Sequence, residues 1–315
     1  MNDKFCRDIS YLRLSVTDKC NLRCIYCMPE TGVVKRKHEE IISVDEISEI
    51  VRAAAACGIK KIRVTGGEPL VRKGIVEICR RIASTEGISE VCLTTNGILL
   101  PRFAEDLKQA GVDRINISLD SLNRVKYNKI TRFDSLDDAV KGLHVALDTG
   151  FDVVKVNVVL MSGVNDSEVP HFLDLTRKYN LDVRFIELMP IGECSSRQQN
   201  RFMNAQSILD LYPDLYEVGT AGVSKQYKLP GGLGTIGLIN PVSSHFCPSC
   251  NRIRITHDSI LKPCLHSAEE INLRGLRGTA LEDAIKNAIY NKPQKHDLNF
   301  NNISSSQRNM NEIGG

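Results

Sequence analysis

The chain has 315 residues, of which 42% are hydrophobic and 25% charged, the balance of a soluble globular chain and not of a disordered one. Its formal net charge of +3 is too small to argue for nucleic-acid binding. No apolar run reaches the ~18 residues of a membrane span, and the opening residues lack the apolar stretch of a secretory signal, so a cytoplasmic protein is expected.

Apolar β-type runs alternate with amphipathic stretches of helical period. Strands are expected at Tyr11–Thr17, Lys61–Thr65, Glu90–Thr95, Arg114–Leu119, Asp152–Met161 and Asp182–Leu188. The first helix starts from the S-x-x-E capping box Ser43-Val-Asp-Glu46 and stops at Gly58, where glycine supplies the helix-ending conformation. Another runs from near Ser135 to just before Gly150. Alternating βα units imply a parallel sheet with helices outside it. About six units up to residue 212 fall short of the ~250 residues of an eight-unit barrel. The fold class is therefore α/β, either an incomplete barrel or an open doubly wound sheet.

The pattern changes after Pro213. Residues 214–246 are rich in glycine and turn residues, and Ala280–Tyr290 reads as a short amphipathic helix. From Lys292 the chain is polar and rich in Asn and Ser, the composition of a mobile tail. This divides the chain into a βα domain at 1–212, a C-terminal region at 213–291 and a flexible tail at 292–315. Gly232-Leu-Gly-Thr-Ile-Gly237 fits G-x-G-x-x-G, but a dinucleotide fingerprint opens a helix. Here Leu-Ile-Asn-Pro241 comes next, so a glycine-rich β-hairpin is expected. Asn116-Ile-Ser118 fits a glycosylation sequon but lies in an expected strand.

Eleven cysteines cannot all pair, and a cytosolic chain rarely keeps disulfides. Cys6, Cys57, Cys79, Cys92 and Cys194 are scattered and read as small buried hydrophobes. The rest form two triplets. Cys20, Cys24 and Cys27, spaced C-x₃-C-x₂-C, come after the first strand, at the end of a parallel strand where βα active sites gather. Three thiolates suit iron–sulfur or zinc. A closed structural zinc site wants four ligands, whereas a four-iron cluster on three cysteines leaves one iron open to a ligand. Cys247-Pro-Ser-Cys250 with Cys264 is ambiguous by spacing. With His245, His257 or His266 it makes a Cys₃His zinc site, and without them an iron–sulfur site.

For anion binding, Arg13, Arg63 and Arg184 lie within strands, where a solvated charge is not expected. Arg252 and Arg254 alternate along an extended segment and so share one face. Arginine matches phosphate bidentately. Lys155 interrupts an apolar run of valines, which points it inward to a site.

The stretch Arg13 to Pro29, with Tyr26 just before the last cysteine, resembles the radical S-adenosylmethionine (SAM) superfamily, as does Thr65-Gly-Gly-Glu-Pro69 after the second strand. Ile186-Glu-Leu-Met-Pro190, Phe246-Cys-Pro-Ser-Cys-Asn-Arg-Ile-Arg254 with Cys264, and the final Gly314-Gly315 make the resemblance specific. The chain is similar over nearly its whole length to the GTP 3′,8-cyclases of molybdenum cofactor biosynthesis.

That resemblance implies an incomplete (βα)6 TIM-like barrel with a C-terminal extension closing its mouth. It implies two [4Fe–4S] clusters, one on Cys20, Cys24 and Cys27, and one on Cys247, Cys250 and Cys264. SAM contacts fall on Tyr26, Gly67, Ser118 and Met189. GTP contacts fall on Arg13, Arg63, Thr94, Lys155, Arg252 and Arg254, with Arg184 a further candidate. Gly314 and Gly315 enter the active site and join the first triplet as catalytic residues. The implied reaction is reductive cleavage of SAM, removal of the ribose C3′ hydrogen of GTP by the 5′-deoxyadenosyl radical, and attack on guanine C8. The product is 3′,8-cyclo-7,8-dihydro-GTP, with the cofactor doing the hard chemistry while the protein positions and shields. The implied partners are an external electron donor, a downstream molybdopterin-pathway enzyme and a second copy in a homodimer, with no nucleic acid and no membrane. The rival readings are another radical SAM enzyme with an auxiliary cluster and a zinc-bound nucleic-acid module.

Overall fold

The computed structural model describes residues 1–33, 36–192, 198–296, 298 and 304–314. Strands β1 (Tyr11–Ser15), β2 (Lys61–Thr65), β3 (Glu90–Thr95), β4 (Arg114–Ser118), β5 (Val153–Leu160) and β6 (Asp182–Glu187) carry the βα units. Between them run α1 (Val44–Ala56), α2 (Ile75–Ala83), α3 (Leu100–Gln109), α4 (Arg124–Thr131), α5 (Leu136–Asp148) and α6 (Val169–Lys178). After a short α7 (Ser207–Leu211) come β7 (Tyr216–Ala221), β8 (Ser224–Lys228), β9 (Thr235–Ile239), β10 (Arg252–Ile255), β11 (Ile260–Lys262) and β12 (Ile271–Asn272). Helix α8 (Gly278–Tyr290) and the single turn α9 (Met310–Ile313) lie beyond them.

The capping box forms as the sequence requires. Ser43 Oγ accepts from the Glu46 amide at 3.1 Å, and Glu46 accepts from the Ser43 amide at 3.0 Å. Gly58 ends the helix at φ +92°, and a Cβ there would lie 2.7 Å from the Met1 nitrogen.

All these strands join one 12-stranded sheet in the order β12-β11-β10-β1-β2-β3-β4-β5-β6-β9-β8-β7. From β10 through β1–β6 to β9 every neighbouring pair is parallel. This is an α/β fold with a parallel-rich sheet. The C-terminal region contributes to both flanks of the same sheet: β10 lies beside β1, and β9 beside β6. The Gly232–Gly237 run is the turn into β9, which is antiparallel to β8 and parallel to β6. It opens a strand and not a helix.

One face of each of β1–β6 joins a continuous apolar core with the inner faces of the helices, through residues such as Leu12, Ile62, Leu93, Ile115, Val156 and Val183. Helix α8 packs on α1. Cys57, Cys79 and Cys92 are buried, as small apolar residues should be. Cys6 is not: it is exposed, at φ +64°, in a short turn before β1. Cys194 lies outside the described residues. Asn116 is buried within β4, which removes the sequon from the surface. The stretch from Ser304 to Ile313, mobile by composition, holds the buried residues Ser304, Ser306, Asn311 and Ile313.

Candidate active site

A cavity of about 520 Å³ opens along the polar face of the sheet, and both cysteine triplets line it. All the site residues expected from the sequence lie on this cavity except the last two glycines. Of these, Gly314 reaches the site through Arg254, and Gly315 is outside the described residues.

The first triplet hangs on the loop leaving β1. This loop is laced to the Gly-Gly segment after β2: the Gly67 amide donates to the Thr17 carbonyl at 2.7 Å and the Glu68 amide to the Lys19 carbonyl at 2.8 Å. A Cβ on Gly66 would come within 2.7 Å of the Thr17 carbonyl oxygen. One on Gly67 would collide with the carbonyls of Asp18 and Lys19. The glycines are required by close backbone approach, which holds the cysteine loop against the strand end.

Carboxylates surround this triplet. Glu68 accepts from Thr95 Oγ1 at 2.7 Å, the Asn96 amide at 2.7 Å and the Leu70 amide at 3.0 Å. Burial nevertheless pushes its carboxyl up to about 7. Asp120 accepts from Tyr26 Oη at 2.6 Å and from the Val159 amide at 2.8 Å, and burial raises it to about 6. Burial, followed by the nearby Asp120, Cys27 and Cys20, lifts the Cys24 thiol well above its ordinary value. Burial and then Glu68 raise Cys20 to about 11. The crowded thiols of Cys20 and Cys24 resist ionisation until a cation neutralises them, so the donor set they form with Cys27 fits a cationic iron–sulfur cluster.

The opposite end is cationic. Arg13 is in register with Arg63 on one side and Arg254 on the other, so three guanidiniums stand abreast across β10, β1 and β2. Tyr11 is in register with Arg252. Burial, then Arg254 and the other arginines, hold the Arg13 guanidinium well below its ordinary pKa. Burial and then Arg252 bring Arg254 down to about 10. The Arg252 guanidinium sits 5.7 Å from each of the Tyr11 and Phe246 ring centres, with a buried Nε that has no partner among the described residues. Packing like charges in a low-dielectric cavity is costly unless an anion joins them. Further along the sheet, Asp182 accepts from Lys155 Nζ at 2.6 Å and Arg184 Nε at 2.7 Å. Arg63 Nη1 reaches Thr94 Oγ1 at 3.4 Å. Ser118 and Met189 line the same cavity at the end of β4 and just beyond β6.

The second triplet is set by residues the sequence did not single out. Arg7 donates to the Cys247 carbonyl at 3.0 Å, the Gln294 carbonyl at 2.9 Å and the Pro293 carbonyl at 2.7 Å. Lys292 Nζ donates to the Pro263 carbonyl at 2.6 Å. Around Cys250 the charge is reversed, while burial raises the Cys247 thiol. Burial opposes ionisation of Cys250, but Lys292, Arg252 and Arg254 outweigh it and the thiol is lowered. Of the histidines considered as a fourth ligand, His257 is elsewhere, 3.7 Å from Asp18. His245 and Cys247 do come together, with His296, their ligand atoms within 4.8 Å of one another. His266 packs against His296 with ring centres 4.5 Å apart and planes tilted by 54°. No sequence spacing announces His296, because the loop held by Arg7 brings it there.

Two family models match: the Radical SAM superfamily over residues 14–176 and Molybdenum Cofactor Synthesis C over residues 181–298. The chain is 48% identical to the GTP 3′,8-cyclase of Alkaliphilus oremlandii, covering 100% of both chains. It is 45% identical to that of Heliobacterium modesticaldum, again over 100% of both. Among solved structures, SuiB of Streptococcus suis superposes with a TM-score of 0.66 at 14% identity, over 91% of this chain and 67% of that one, a likeness of fold alone. With whole-length identity to named enzymes and the glycine, cysteine and arginine positions gathered on one cavity, the chain belongs to the GTP 3′,8-cyclase family of radical SAM enzymes.

Proposed function

We propose that the chain converts GTP to 3′,8-cyclo-7,8-dihydro-GTP, with SAM as co-substrate, in the cavity between the two cysteine triplets. The observation that carries this reading is the polarity of that cavity. Carboxylates stand beside one triplet and a row of arginines beside the other. A sulfonium with an amino group suits the first end, and a triphosphate the second.

Cys20, Cys24 and Cys27 hold one [4Fe–4S] cluster, and Cys247, Cys250 and Cys264 hold a second. Bound at the first triplet, a cluster supplies the electron for reductive cleavage of SAM, and hydrogen abstraction at ribose C3′ with closure onto guanine C8 is the chemistry that the family resemblance implies. The chain's own residues bind, orient and exclude. Tyr26, Gly67, Ser118 and Met189 contact SAM. Arg13, Arg63, Thr94, Lys155, Arg184, Arg252 and Arg254 contact GTP. Gly314 meets the substrate site from the side of Arg254, and Gly315 acts with it in catalysis. The region after residue 212 seals the mouth of a partial barrel formed by residues 1–212, and the walls keep water and stray hydrogen donors from the reacting carbon.

The partners of this reading are an external electron donor, a downstream enzyme of molybdopterin synthesis and a second copy of the chain. It acts in the cytoplasm on a small molecule. Among the described residues no helix is long and apolar enough to cross a membrane.

The test is anaerobic purification with iron, sulfide and zinc analysis, then incubation with GTP, SAM and dithionite. Two clusters per chain and formation of the cyclised nucleotide are expected. Zinc at the second triplet favours a site built on His245, Cys247 and His296 instead. SAM cleavage with no GTP-derived product makes the chain a different radical SAM enzyme.

A further inference from the structure

The last residues are held by a clamp whose residues do not line the cavity. Arg308 spans two carboxylates from different loops. Its Nη1 donates to both oxygens of Asp258 at 3.0 Å, while Nε and Nη2 donate to the two oxygens of Glu270 at 2.8 and 3.0 Å. Its side chain is only 15% exposed. Glu270 is also held by Lys262 Nζ at 3.1 Å. Asp258 lies in the β10–β11 turn next to Ser259, a left-handed residue at φ +65°. The guanidinium therefore satisfies four carboxylate oxygens with planar, forked geometry that lysine cannot reproduce.

The residues beyond Arg308 cannot place themselves. Helix α9 is one turn, far too short to be stable alone. Asn309 and Glu312 form a capping box around it. Arg36 approaches both Glu312 and Asp18 at 3.5 Å, and Asn311 Nδ2 donates to the Asp18 carbonyl at 3.3 Å. At its far end the Gly314 carbonyl accepts from Arg254 Nη1 at 2.7 Å. Arg254 and Asp258 belong to one β-hairpin. The tail is thus strapped across that hairpin at two points, Arg308 on Asp258 and Gly314 on Arg254.

We propose that Arg308 is a positioning residue for cyclisation: clamped between Asp258 and Glu270, it sets where Gly314 meets Arg254 and so fixes the aim of that guanidinium into the cavity. The proposal deepens the functional reading and rests on it for its product assay. Arg308 needs no contact with substrate and acts through the tail alone.

The experiment uses full-length, anaerobically reconstituted Arg308→Ala and Arg308→Lys. Three quantities are measured: iron content, 5′-deoxyadenosine, and cyclised nucleotide formed per 5′-deoxyadenosine. For Arg308→Ala, iron and SAM cleavage are expected within about twofold of the parent chain, because no cysteine is a hydrogen-bond partner of Arg308. Product per 5′-deoxyadenosine is expected to fall by about tenfold to 100-fold, the scale of a small misplacement of reacting groups. Arg308→Lys is expected to fall between the two. A second readout does not depend on the reaction: hydrogen exchange at the Ile313 and Gly314 amides, which bond to the Asn309 and Met310 carbonyls, is expected to quicken in Arg308→Ala. Unchanged exchange there, or an unchanged product ratio in a chain that does cyclise GTP, overturns the proposal. Iron loss in Arg308→Ala and Arg308→Lys alike also overturns it, in favour of a folding role. A parent chain that makes no cyclised product refutes the functional reading, and the exchange measurement then decides the clamp by itself.

Discussion

The Gly314 carbonyl oxygen lies 2.7 Å from Nη1 of Arg254, as acceptor of its hydrogen bond. The glycine adopts φ +85°, and a Cβ on it would stand 2.5 Å from Thr65 Oγ1 and 2.9 Å from Ser15 Cβ. Backbone conformation and space thus both demand glycine there. Removing Gly314 and Gly315 is expected to leave both clusters and most SAM cleavage, while cyclised product falls by about 100-fold. Gly314→Ala is expected to behave similarly, since a left-handed alanine costs roughly 1–2 kcal/mol before any clash. Separate assays of 5′-deoxyadenosine and cyclised nucleotide decide it. Normal product from the truncated chain makes the terminus dispensable.

The strands of the βα units were legible because each is a short β-rich run bounded by turn residues, and their ends fall within two residues of the expected ones. The capping box at Ser43 was legible because it is a local interaction. The rest depends on long-range pairing. Nothing near Arg254 in the sequence says that β10 runs parallel beside β1, yet that pairing stands Arg254 next to Arg13. Likewise Arg7 is remote in sequence from Cys247, whose carbonyl it binds. Composition marked the tail as mobile, but composition counts side chains and cannot see the Arg308 clamp.

Changing any of Cys20, Cys24 or Cys27 to Ala is expected to abolish 5′-deoxyadenosine formation, because a three-thiolate site has no spare ligand. Gly67→Ala should weaken the same activity by displacing the loop at Asp18 and Lys19. A Cys24→Ala chain that splits SAM at the parent rate would refute the assignment.

Replacing Cys247, Cys250 and Cys264 together is expected to lose about four irons per chain, the content of one [4Fe–4S] cluster. His296→Ala separates the two metal readings. With a cluster on three cysteines, the variant keeps its iron. If the site is instead His245, Cys247 and His296, the variant loses zinc and iron is unaffected by either change.

Arg252 offers a buried Nε without a described partner beside Tyr11 and Phe246. A charge-assisted hydrogen bond contributes roughly 1.5–3 kcal/mol, so Arg252→Ala should weaken GTP binding by about 10- to 150-fold. Guanosine, lacking the phosphates, should bind almost as before. Calorimetry with both ligands on the anaerobic protein measures this. Equal losses for the two would make Arg252 a structural residue. Arg254→Ala should show the same phosphate dependence and also the uncoupled SAM cleavage expected of the shortened tail.

Tyr11 gives the site a pH dependence of stated sign. Burial disfavours its phenolate, but Arg63, Arg13 and Arg252 outweigh burial and lower the phenol to about 8. Below that value Tyr11 is neutral and the arginines present their full charge to the triphosphate. Above it the phenolate adds a negative charge among them and competes with phosphate. Bound phosphate in turn offsets the arginines and returns the phenol toward its ordinary ~10. Proton linkage then requires GTP affinity to fall as pH rises past about 8, by roughly tenfold between pH 7.5 and 9. Tyr11→Phe cannot ionise and should show a flat profile over that range, with near-parent affinity at pH 7. The measurement is GTP affinity against pH for both chains under anaerobic conditions. If the parent profile is flat, or if Tyr11→Phe keeps the same decline, another group titrates and the phenol does not share the arginines with the substrate.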